Sequence, residues 1–154
     1  MRRGLVALGL VAVLAAGCGG GGGKTVTGTA PTETTPTTQQ ARALRVYFLL
    51  DGKVQPVLRI AHTEAVAAAA LRALAEGPSD EERSALDLRS AVPEGAAFPG
   101  LRVEQGVASL DLPAEWDRSA VAQVVYTLTQ FPTVREVETG GQRFTRADFE
   151  DETR

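Results

Sequence analysis

The side chains with reactive chemistry in this 154-residue chain are few: one cysteine, Cys18, one histidine, His62, and carboxylates gathered at Asp80-Glu81-Glu82 and at Glu115/Asp117. Metal binding needs several ligands, and His62 has no second histidine or cysteine at a ligand spacing. Its place just before a helix start suits a solvated polar residue. A Ser-His-Asp site would have to use the same His62, for which no partner is identifiable, and no G-x-S-x-G elbow exists. The acid pairs are the side chains a glycosidase uses, set about 5 to 9 Å apart across a cleft. Carboxylates at turns and helix starts need no such role, because the positive end of a helix favours them. The expectation is therefore no metal, no cofactor and no catalysis, with hydrolysis of cell-wall glycans by paired carboxylates as the enzyme alternative.

Two phosphate-loop patterns lie near the start. Gly17, Gly19 and Gly22 satisfy G-x-G-x-x-G, and Gly23-Lys24-Thr25 imitates the end of G-x-x-x-x-G-K-[ST]. Both patterns work by presenting helix N-terminal amides to phosphate. Here a run of threonine, proline and glutamine follows instead, so no nucleotide site is expected.

Cys18 carries a different chemistry. Met1-Arg2-Arg3 is basic, and Gly4 to Ala16 is uncharged and rich in leucine and valine. That run is too short for a hydrocarbon layer of ~30 Å, which needs roughly 20 helical residues. A removable signal fits better. The closing Ala15-Ala16-Gly17-Cys18 resembles a bacterial lipobox, with Leu14 one place further out than in its commonest form. The resemblance implies signal cleavage between Gly17 and Cys18, a signal peptide over 1–17, and a diacylglyceryl and palmitate-bearing lipoprotein. A buried core thiol is disfavoured because Gly19 to Gly23 can pack nothing, and a lone cysteine rules out an intramolecular disulfide. Residues 18–41 then read as the lipidated cysteine and a disordered Gly/Thr/Pro tether, whose average reach is about 26 Å.

Loss of the signal removes Arg2 and Arg3 and moves the formal charge from −3 to −5. An acidic chain is a poor partner for nucleic acid, and electrostatics alone would not hold it on anionic lipid. The acyl chains are left as the anchor, on the outer face of the cell membrane.

Residues 42–154 suffice for one domain. Leu44, Val46, Phe48 and Leu50 alternate on one face of a strand, Asp51-Gly52 predicts a type I′ hairpin turn, and Val54 to Ile60 returns. Pro56 places the return strand at an edge or a bulge. Thr63 predicts a helix cap before Glu64, with Val66, Ala67, Ala70, Leu71 and Leu74 facing the core and Gly77-Pro78 ending the helix. Ser79 and Glu82 form a capping-box pair for a short helical turn. A second hairpin, Leu101 to Leu112, turns at Gln105-Gly106. Ser119 predicts the cap of a second helix, with Val121, Val124, Val125 and Leu128 inward. Gln123, Thr127 and Gln130 line its opposite face, and Val134 to Glu138 forms a last strand. The predicted fold is α+β, a two-layer sandwich of order β-β-α-β-β-α-β, with helices on one face of a mostly antiparallel sheet.

In order along 44–150 stand Val46-Tyr47-Phe48, Val57-Leu58-Arg59, Leu71-x-x-Leu74-x-x-Gly77-Pro78, Arg89 to Gly95, Gly106 to Leu112 and Val124 to Pro132. This succession resembles the GerMN domain of sporulation and spore-germination proteins and envelope lipoproteins. It departs in its polar last strand, Glu136-Val137-Glu138-Thr139, and the expectation is that the second domain that often follows is missing. The resemblance implies an extracytoplasmic module that binds an envelope protein or cell-wall partner without catalysis. Gln123, Thr127 and Gln130, with Trp116 as an aromatic anchor, are the candidate interaction surface. Trp116 is more often a core plug than a ligand platform, and Tyr126 and Thr129 are better read as flanking the core stripe and satisfying local backbone bonds than as a functional polar face. A small-solute receptor fits less well, since a single domain has no interdomain cleft.

Overall fold

In this computed structural model, which describes residues 40–153, the first hairpin follows from simple alternation. Strand β1 (Arg42–Leu50) buries Leu44, Val46 and Phe48, and β2 (Lys53–Ala61) returns antiparallel in unbroken register. Asp51 and Gly52 turn the chain with φ of 51° and 77°. Two successive positive φ angles give the twist that matches paired strands. Pro56 stands opposite Tyr47, whose N–H and C=O both bond away from β2, so the proline forfeits no ladder bond and needs no bulge.

Helix α1 (Val66–Glu76) starts after Ala65 rather than at Glu64. The expected cap, Thr63, bonds the Ala65 N–H at 3.1 Å, closing a turn before the helix instead of capping it. Ala69, Ala70, Leu71, Leu74 and Ala75 are buried, and Gly77 ends the helix at a φ of 77°. Helix α2 (Asp80–Ala85) has the expected capping box: Ser79 Oγ accepts the Glu82 N–H at 3.2 Å, and the Glu82 carboxylate accepts the Ser79 N–H at 2.8 Å.

Strands β3 (Arg102–Glu104) and β4 (Val107–Ser109) flank the Gln105-Gly106 turn. Helix α3 (Arg118–Leu128) is capped by Asp117, which accepts the Ala120 N–H at 2.8 Å. Ser119, the predicted cap, lies inside the first turn and donates to Glu152 at 3.3 Å. After α3 the chain forms β5 (Glu136–Thr139), turns at Gly140-Gly141 into β6 (Gln142–Phe144), and ends in a 3₁₀ segment, Arg146–Glu152. The polar faces of β5 are matched across the hairpin, where Arg143 meets Glu138 at 2.8 Å and Glu136 at 3.6 Å.

The α+β class holds, but the predicted single sheet is two. One contains β1 and β2; the other has the order β3-β4-β5-β6, with β4 and β5 parallel because α3 supplies the crossover. Helix α3 touches β1, β2, β5, α1 and the 3₁₀ segment, and every residue from Ala122 to Leu128 is buried. Phe48, Leu71, Leu74, Val124, Val125, Leu128, Val137 and Phe149 form the fully buried centre around it.

Candidate functional site

The three polar residues predicted to meet solvent or a partner, Gln123 and Thr127 on α3 and Gln130 in the turn just after it, are spaced i, i+4 and i+7. The structure corrects that reading. Gln123 and Thr127 are both 0% exposed, and Gln130 is half-buried. The Gln123 side-chain carbonyl accepts from Ala91 N–H at 2.7 Å and Val92 N–H at 3.4 Å, while its amide donates to the Tyr47 C=O at 2.8 Å and Ser90 Oγ at 3.4 Å. Thr127 Oγ1 accepts the Tyr47 N–H at 3.2 Å. The Gln130 amide accepts the Arg45 N–H and donates to both the Arg45 C=O and the Thr127 C=O.

These contacts all fall on the edge of β1 that faces away from β2. Leu49, next along that edge, exchanges two backbone bonds of 2.8 Å with Arg89. Arg45, Tyr47 and Leu49 are thus satisfied without a neighbouring strand. Buried main-chain groups must be paired, and a helix can do this only through side chains. The hydroxyl-rich sequence of α3 supplies them. Around this row, Tyr126 packs at a tilt of 47° against Tyr47, ring centres 5.4 Å apart, and Arg146 lies over both rings at 5.0 and 5.5 Å. Thr129 accepts from Arg146 at 2.8 Å and donates to the Val125 C=O at 2.7 Å.

Of the carboxylates singled out in the sequence, Asp80, Glu82 and Asp117 are likewise engaged locally. Asp117 caps α3, and Asp80 pairs with Arg83 at 2.7 Å. Glu82 joins its capping box to a two-pronged bond with Arg59, at 2.6 and 2.8 Å, and that guanidinium holds its carboxyl below the usual range. Glu115 and His62 are exposed, and neither side chain makes a hydrogen bond or ion pair among the described residues. Among the described residues no group of three or more His, Cys, Asp or Glu could hold a metal ion, and no helix is long and apolar enough to cross a membrane. Gly17 and Cys18 lie outside the described residues.

An apolar concave surface lies elsewhere. A cleft of about 630 Å³ opens between α1 and the 94–101 loop. Ala68, Leu71 and Ala75 form its helical wall, Ala96, Phe98 and Leu101 the other, with Arg72, Glu76 and Glu94 polar at the lining. Alanines make the hollow, since a longer side chain at position 68 or 75 would fill it. Trp116 is half-buried, edge-on to Phe98 of this wall with ring centres 6.0 Å apart. An apolar floor with a few charges at its margin suits an apolar side chain or a helix face of another molecule. The signal for it was Ala68 and Ala75, two turns apart on one side of α1 and too small to fill it.

A family model described as Germane, sporulation and spore germination, matches residues 28–138. Among solved structures, the chain is similar to the tandem GerMN domains of the sporulation protein GerM from Bacillus subtilis, with 22% identity and a TM-score of 0.56. That match covers 64% of this chain and 38% of the tandem structure, so the chain spans well under half of its length. The first GerMN domain of the same protein gives 22% identity and a TM-score of 0.47 over 67% of this chain and 86% of the domain. No curated protein matches the chain.

Proposed function

The chain belongs to the Germane family, sporulation and spore germination, and from that premise we propose that it is a non-enzymatic binding or assembly module of the bacterial cell envelope. In this reading a lipid on Cys18 holds it at the outer face of the cell membrane, and its partner is an envelope protein or a cell-wall component. The observation that carries the binding role is the apolar cleft between α1 and the 94–101 loop, which no side chain among the described residues fills. The absence of catalysis is supported by the use of Asp80, Glu82 and Asp117 in caps and ion pairs, which leaves them poorly placed as proton donors or nucleophiles. The anchor is supported by the basic start, the short apolar run and the Gly17-Cys18 junction.

The test places a photo-crosslinking residue at position 68, in the cleft, or at position 142, on β6, of the full chain in its own membranes. Adducts with one envelope partner from position 68 alone are expected, and they should vanish when Ala75→Arg fills the cleft. Equal labelling from both positions would remove the cleft as the binding site, and glycan hydrolysis by the purified protein would reinstate the carboxylate alternative. Mass spectrometry of the mature chain checks the anchor: a diacylglyceryl Cys18 at the amino end is expected, and an unmodified Cys18 would contradict it.

A further inference from the structure

The β1–β2 hairpin leaves one stretch of its outward face bare. Leu58 and Ile60 are 67% and 63% exposed on β2, beside the exposed Pro56. Directly opposed residues of an antiparallel pair project to the same side, which puts Arg45 beside Leu58 and Ala43 beside Ile60. Further along, the same face is closed, because Tyr47 is covered by Tyr126 and Arg146. The bare part is therefore an apolar pair bordered by one cation, and Arg45 makes no ion pair among the described residues. None of Ala43, Arg45, Pro56, Leu58 and Ile60 is acidic, in a chain whose overall charge is negative.

Strand pairing is a poor use for this surface. The outer edge of β1 is already bonded by α3 and Arg89, and on β2 the proline removes an amide hydrogen from the middle of the free edge. What remains is a side-chain face, and its location indicates an occupant. Arg42 pairs with Ala61, so Ala43 and Ile60 lie at the end of the hairpin where the chain arrives from Cys18. We propose that the Ala43/Arg45/Leu58/Ile60 face is a membrane-docking face, lying on the lipid surface to which Cys18 is anchored. The apolar pair enters the acyl boundary, and Arg45 meets the phosphates at headgroup level. Tethering raises the local concentration of lipid at this end, so even a weak contact is populated. Docking here orients the domain relative to the bilayer. This inference rests on the lipid anchor proposed above.

The experiment uses the full lipidated chain in phosphatidylcholine vesicles, with and without phosphatidylglycerol. Because the Cys18 thiol is acylated, Leu58→Cys carries the sole free thiol for an environment-sensitive fluorophore, and Gln142→Cys on β6 is the control. A blue shift and quenching by spin-labelled lipid at position 58 but not at 142 are expected, with loss of that quenching in the added variant Ile60→Asp while the protein still floats with the vesicles. Stronger quenching in the presence of phosphatidylglycerol, lost in Arg45→Gln, would assign the cation its headgroup role. Flotation with a fully aqueous signal at position 58 would overturn the docking face and leave the anchor standing. Failure to float would overturn both. A blue shift that lipid quenchers do not reach, and that grows with protein density, would assign the face to a second copy of the chain instead.

Discussion

The Gln123 side-chain amide donates to the Tyr47 carbonyl at 2.8 Å across 76 positions of sequence, and both groups are buried. With the neighbouring Thr127 and Gln130 contacts, that bond lets a helix stand where a strand would otherwise complete the sheet. The arrangement closes an edge that would otherwise invite pairing with another chain. It also ties α3 to the 90–92 segment, because the same glutamine accepts the Ala91 N–H.

Gln123→Leu keeps the volume and removes the bonds. The Tyr47 carbonyl and Ala91 N–H would be left buried without partners, at about 2 to 4 kcal/mol for the set. Urea unfolding should show this as a lower midpoint at unchanged slope. A change under about 0.5 kcal/mol is what a solvated surface glutamine would give.

Thr127 separates the hydroxyl from the methyl. Thr127→Val removes the acceptor for the Tyr47 N–H, and should cost about 1 to 2 kcal/mol. Thr127→Ser keeps the acceptor and loses only a methyl group, so it should cost less. The two variants compared by thermal unfolding should fall in that order; the reverse order would mean that packing, not the hydrogen bond, holds the position.

Leu128→Ala should cost roughly 2 to 5 kcal/mol, since the side chain is fully buried and its removal leaves a cavity. Val121→Ala on the same helix should cost less, because Val121 is only half-buried. Chemical denaturation of both variants checks the ranking.

Glu82 gives stability a pH dependence. Its folded carboxyl titrates below its unfolded value, chiefly through the Arg59 hydrogen bond, so the contribution is complete above the unfolded value. It is lost as pH falls through the lowered folded value. Glu82→Gln keeps a capping-box acceptor but not the charge, and should cost about 1 kcal/mol or less near neutral pH. The gap to the parent should close in acid. A gap that stays constant with pH would show that the charge contributes nothing.

Local chemistry was legible in the sequence, and distant pairing was not. Asp51-Gly52 and Gln105-Gly106 marked hairpins because positive φ is a property of the turn itself, and Ser79/Glu82 marked a helix start three residues long. Gly140-Gly141 makes the same kind of turn, with φ of 56° and 76°, but the flanking Gln142-Arg143 is polar and gave no strand signal. The parallel β4–β5 pairing left no local trace, hence the expectation of one antiparallel sheet. The faces of α3 were misassigned for a related reason. Gln123, Thr127 and Gln130 sit at helical spacing opposite the valines, and polarity reads as solvent unless the partner is known. Their partners in β1 are 76 to 85 positions away, and the further partners of Gln123 in the 90–92 segment are 31 to 33 away. The cleft was hidden because it is made by alanines, whose contribution is the space they leave.

The most direct test of the helix-for-strand arrangement is native-state amide hydrogen exchange at Tyr47. Its N–H faces away from β2, so on an open strand edge it would exchange quickly, whereas bonding to Thr127 Oγ1 in the interior should make it as slow as Val46, whose N–H faces β2. Thr127→Val should speed exchange at Tyr47 and leave Val46 slow. Rapid exchange at Tyr47 in the parent chain, or a Tyr47 rate indifferent to Thr127→Val, would contradict the account.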